Sequence, residues 1–171
     1  HIGNLTDLEE ALARDEPFFV DYFSYDINNP KQKVAHHMLK LRGQKFYENV
    51  GILSGMYAIQ LNDREEYDVR RGGRDDIPAL DLRLESHTGL LQFAHEELYQ
   101  VHGKLALHWS YRNNKNVPGT GVRPLIPNYT MYVPGISLVE KWIGEALEIE
   151  AGFRYEYQFL RVKRFDENNI L

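Results

Sequence analysis

The chain has 171 residues, 43% hydrophobic and 12% aromatic, with a formal charge of −5; that length fits one domain able to bury about 70% of its unfolded surface. Cysteine is absent, which excludes disulfides, Cys-based zinc or iron–sulfur centres and thiol nucleophiles. No apolar run approaches the roughly 20 residues of a membrane-spanning helix, and the N-terminus carries no signal pattern, so the expectation is a cytoplasmic, intracellular or virion protein with no membrane contact. The start at His1 rather than Met points to a trimmed or processed product, and any targeting segment would have been lost with the trimmed part.

The charge is unevenly spread. Residues 1–30 hold seven acids against Arg14, an acidic arm that reads as a solvated helix face or as a dock for a basic protein partner or a second copy. Within it Thr6-Asp7-Leu8-Glu9 fits a capping box and predicts a helix from about 7 to 15, ended by Pro17. The aromatic stretch from Phe18 to Tyr25 has no clean period. Asn29-Pro30 reads as an N-cap with proline at the first helical position, leading into Val34, Met38 and Leu41 and stopping at Gly43.

From Gly51 to Leu61 alternation predicts a strand, and the charged stretch from Asn62 to Asp76 predicts a loop. Leu80 to Glu85 alternates strictly and reads as a strand. Ser86 or Thr88 then caps an expected helix carrying Leu90, Leu91, Ala94, Leu98 and Val101, with Gly103 at its end, and Leu105–Arg112 is a second strand. The Asn/Pro/Gly-rich stretch 113–136 predicts a long loop. A second capping box, Ser137 to Glu140, introduces a helix with Leu138, Trp142 and Ala146 on one face, before a strand with Phe153, Tyr155, Tyr157 and Phe159 on one side. The expected fold is therefore α+β: one compact domain over 1–171, a mixed sheet, three to four helices and a central strand–helix–strand unit.

If the two central strands are neighbours, Asp81, Glu85 and His108 converge on one face. Two carboxylates with an imidazole suit a catalytic set for phosphodiester hydrolysis, with Asp81 and Glu85 as ligands of a divalent Mg or Mn ion and His108 as base or ligand. The competing account is an ordinary solvated sheet face with Arg83 and Arg112 pairing the acids. His36-His37 diverge on a helix, and His95 and His102 lie about 10 Å apart along one, so neither pair chelates. Basic residues Arg70, Arg71 and Arg74, and Arg161, Lys163 and Arg164, are candidate nucleic-acid contacts, the first group in a glycine-containing loop that lets its side chains reach a phosphate.

The segment Pro134-Gly135-Ile136 through Lys141-Trp142-Ile143-Gly144 to Gly152-Phe153, with the strand after it, resembles one half of the swapped-hairpin fold of AbrB-type regulators and SymE-type toxins. The resemblance covers residues 134–165. It implies a Pro-led strand, a short helix, a Gly turn and a second strand, with DNA binding or, in the toxin branch, nucleic-acid cleavage.

The leading expectation is a nucleic-acid-associated protein, a metal-dependent nuclease in its sharpest form. Two alternatives stand beside it: a structural or assembly protein, phage-like or otherwise oligomeric, and a small-molecule-binding or hydrolytic domain with a pocket lined by Trp109, Tyr111, Tyr129 and Tyr132.

Overall fold

The computed structural model describes residues 4–15, 23–26, 28–70 and 72–163. It is not α+β. One short helix, α1 (Leu5–Leu12), precedes seven strands: β1 (Lys31–Tyr47), β2 (Gly51–Tyr67), β3 (Leu80–Leu98), β4 (Val101–Asn116), β5 (Asn128–Ile143), β6 (Glu148–Glu156) and β7 (Phe159–Lys163). All pair antiparallel in one sheet of order β1 to β6, and β7 pairs with β5 in line with β6. The sheet is thus a meander of six long ribbons, the last interrupted at Tyr157-Gln158.

Three expected helices are strands. The stretch after Pro30 is β1, residues 86–98 continue β3, and Ser137–Ile143 completes β5. The reason is arithmetic. Side chains four apart share a face in a helix and equally in a strand, where the period is two. Val34/Met38, Leu90/Ala94/Leu98 and Leu138/Trp142 are all such sets, and the residues between them decide. Ile136, Leu138 and Trp142 lie on one face of β5, whereas Leu90 and Leu91 lie on opposite faces of β3. Only α1 follows its capping signal, two residues ahead of the expected start.

Connections differ at the two ends. At one end they are short: 48–50, Tyr99-Gln100 and 144–147. Asn49, Tyr99 and Gln100 take positive φ there, at 55°, 53° and 66°, as tight hairpins require. At the other end they run 68–79 and 117–127, so the loop expected over 113–136 is shorter and flanked by strand. Asparagines close it. Asn114 Nδ2 donates to the Pro127 carbonyl at 3.2 Å, Asn116 Nδ2 to the Ile126 carbonyl at 2.8 Å, and the Asn116 amide to Asn128 Oδ1 at 2.6 Å. Arg70 Nη1 donates to the Thr120 carbonyl at 2.9 Å and ties the two long loops together.

The sheet has no second layer among the described residues. Buried apolar side chains there are Ala58, Tyr67 and Ala106, and Asn114 is the buried polar one. The accessible surface is 13941 Å², against about 8,700 Å² for a compact protein of this mass. Among the described residues the expected α+β core is absent, and none of them covers either face of the sheet.

Candidate functional site: the two faces of the sheet

The register assigns every side chain to a face, because paired residues share one and neighbours along a strand alternate. One face carries a continuous apolar band. Reading across the sheet, one row is Leu53, Phe93, Leu105, Leu138 and Phe153; the next holds Leu91, Leu107, Ile136 and Tyr155, with Gly43 and Gly55. A third is Leu41, Tyr57, Gly89, Trp109 and Pro134, and a fourth is Leu39, Ile59, His87, Tyr111, Tyr132 and Phe159. From Leu53 to Ile59 these four rows run seven residues along β2, about 20 Å of strand.

Aromatic side chains edge this band. Toward the long loops Tyr57, Trp109, Tyr111, Tyr132 and Phe159 form a belt, with Tyr57–Trp109 centroids 5.9 Å apart and Tyr132–Phe159 stacked at 6.4 Å. Toward the short turns stand Phe93, Phe153, Tyr47 and Trp142. Most charges on this face gather outside the belts: Lys33, Asp63, Glu65, Asp81, Arg83, Lys115, Arg161 and Lys163 at the long-loop end, whereas Lys45 stands beside Leu53 with its Nζ 4.9 Å from the centre of the Tyr47 ring. Where a polar group enters a belt it is paired. His87 Nε2 lies 2.8 Å from Glu85 Oε1, and since a carboxylate only accepts, that nitrogen donates; Nδ1 then accepts from the Tyr57 hydroxyl at 2.6 Å. At the other belt Glu140 lies over Gly103 with its Oε2 3.1 Å from His95 Nε2. The other ring nitrogen, Nδ1, lies 2.6 Å from the Glu96 carbonyl.

The opposite face is more polar at the same depth. Its rows include Met38, Gln60, Ser86, Arg112, Met131 and Leu160; Lys40, Ala58, Thr88, Ser110 and Val133; Arg42, Met56, Leu90, His108 and Glu156; and Gln44, Ser54, Gln92, Ala106, Ser137 and Arg154. Glu156 accepts from Arg154 Nη2 at 2.6 Å and sits 2.7 Å from His108 Nε2. His108 occupies the gap left by Gly135.

The expected catalytic set does not assemble. Asp81 and Glu85 are on the apolar face and His108 is on the polar one. Asp81 and Glu85 are themselves four residues apart on one strand, about 13 Å, too far to share an ion. Asp81 is raised by burial and by Glu65 across the strand pair, and Glu85 is engaged by His87. Among the described residues no group of three His, Asp or Glu is placed to hold a metal. Of the basic candidates, Arg70 is held by Thr120, Arg74 lies in the same loop near Gly121, and Arg161 and Lys163 share the outer edge of the apolar face. Arg71 and Arg164 lie outside the described residues. In the expected pocket Trp109, Tyr111 and Tyr132 share the apolar face, whereas Tyr129 is on the other.

Sequence reasoning missed the band itself. The signal was present as a period of two in β2, β4 and β5, at Leu53–Ile59, Leu105–Tyr111 and Tyr132–Leu138. Comparison with protein-family models, with curated proteins and with solved structures returned no match. Among the described residues no helix is long and apolar enough to cross a membrane.

Proposed function

We propose that this sheet is a section of the wall of a membrane-spanning β-barrel, with its banded face toward lipid and its polar face toward the barrel interior. The observation that carries the reading is the coincidence, at one depth, of an apolar band on one face and polar side chains on the other. A membrane strand needs about 9–11 residues tilted near 45° and an apolar band of about 25 Å between aromatic girdles. The four apolar rows, about 20 Å along strands tilted by about 40°, project to roughly 15 Å, and the aromatic belts extend them at both ends.

Three further features support it. The strands are far longer than the usual five or six residues. Connections are short at one end and long at the other, the asymmetry of outer-membrane barrels. The exposed apolar side chains, including Leu107 at 48% and Phe153 at 62%, have no covering layer, and lipid is a solvent in which such a face is stable. The expectation of an intracellular protein rested on the lack of an apolar helical span, a criterion that strands do not meet.

Six ribbons are fewer than the eight of the smallest barrels, so the open edges of β1 and β6/β7 pair with further strands in this account. The barrel reading absorbs the long loops and the exposed aromatics that suited an assembly protein. It leaves the nuclease reading without its site, since His108 faces away from Asp81 and Glu85. The test is heat-modifiable migration and resistance to carbonate extraction of the full-length protein. Extraction into the aqueous phase, together with salt-sensitive retention on single-stranded DNA, would favour the nucleic-acid reading instead.

A further inference from the structure

Resting on the barrel reading, we infer that Lys115, Arg161 and Lys163 form a binding site on the outer wall for the phosphate groups of an anionic lipid headgroup. The three side chains share the banded face and are exposed. Lys163 pairs with Asn128 of β5 and Arg161 with Thr130, while the β4–β5 register sets Lys115 on the other side of Asn128. Two strand spacings separate the Lys115 and Lys163 backbones, about 10 Å, and Arg161 is two residues along the strand, about 7 Å. Flexible cationic side chains rooted at those distances converge on one phosphate or straddle two.

Position and charge favour a lipid. Arg161 stands two residues beyond Phe159, and Lys115 and Lys163 four residues beyond Tyr111 and Phe159, the belt that marks the boundary between acyl chains and headgroups in this account. The other cation of that row, Arg83, is engaged by Asp63 at 3.5 Å, whereas no carboxylate of the described residues pairs with Lys115, Arg161 or Lys163. Toward β3 the two carboxylates diagonal to Lys115 are Glu85, which His87 holds, and Asp81, which lies beside Arg83 and Glu65. A cluster of unneutralised cations at headgroup depth draws anionic lipid with a strength that adds per charge, and the guanidinium of Arg161 offers a fork that matches phosphate.

The test is native mass spectrometry of the full-length protein, released from micelles doped with phosphatidylcholine or with a diphosphorylated glycolipid. The expected result is retention of the glycolipid over phosphatidylcholine. It weakens about tenfold or more in Lys115→Gln/Arg161→Gln/Lys163→Gln, is restored by Lys115→Arg/Arg161→Lys/Lys163→Arg, and is unchanged in Lys104→Gln on the polar face. Equal retention by the triple Gln variant overturns the site, as does equal retention of both lipids. Competition by inorganic phosphate at the same concentration as the glycolipid, or retention of single-stranded DNA, overturns the lipid assignment. Failure of the barrel reading is distinguished beforehand, because a protein that shows no heat-modifiable migration never enters the comparison as a barrel, and that result overturns both.

Discussion

The indole of Trp109 lies over the backbone of Gly89, its partner across β3 and β4, and fills the space that a side chain at Gly89 would take. The glycine leaves a gap in the apolar face, and the tryptophan of the adjoining strand covers it, a device that restores a smooth packing surface to a sheet. Tyr57, on the other side of Gly89, contacts the same indole.

Adding a methyl at Gly89 forces the indole to move. Gly89→Ala is expected to cost about 1–3 kcal/mol of unfolding free energy. In a Trp109→Ala background the same change is expected to cost little. Urea titrations of the four proteins of this double-mutant cycle measure the coupling, and equal costs in both backgrounds would refute the contact.

The Tyr99-Gln100 hairpin sets two residues other than glycine at positive φ, each disfavoured by roughly 1 kcal/mol. Tyr99 is 88% exposed, so its ring contributes little packing. Tyr99→Asn/Gln100→Gly supplies the residues such a turn prefers and is expected to raise stability by about 1 kcal/mol in the same titration.

A charge tests the two faces against each other. Leu107→Arg introduces a guanidinium near the middle of the band, at an expected cost of about 2–4 kcal/mol, whereas Ser110→Arg on the polar face is expected to be tolerated. Yield of heat-modifiable protein reads the difference.

What could be seen in the chain and what could not has a physical explanation. Strict alternation at Leu80–Glu85 and Leu105–Arg112 exposed β3 and β4, and the shared face of Phe153 and Tyr155 exposed β6. The helices were misread at residues four apart, where both periods agree. The turn at Tyr99-Gln100 carries no Gly, Asn or Pro to announce it, so β3 and β4 merged into an apparent helix followed by a strand. The site residues were misassigned for a related reason. Placing His108 with Asp81 and Glu85 requires the β3–β4 register, in which Leu90 rather than Gly89 pairs with His108, and a slip of one residue reverses the face. Apolar residues on the sheet were taken as core because a compact fold was assumed, and lipid as the second solvent was not.

The most direct test uses the absence of cysteine, which makes single-cysteine variants clean. Cysteines introduced one at a time from Leu105 to Ser110 of β4, labelled with an environment-sensitive fluorophore in the reconstituted full-length protein, report contact with doxyl-labelled lipid. The account predicts a period of two, with quenching by lipid at Leu105, Leu107 and Trp109 and access to aqueous quencher at Ala106, His108 and Ser110. Uniform aqueous access along the strand, with no lipid quenching at any of the six positions, would contradict it.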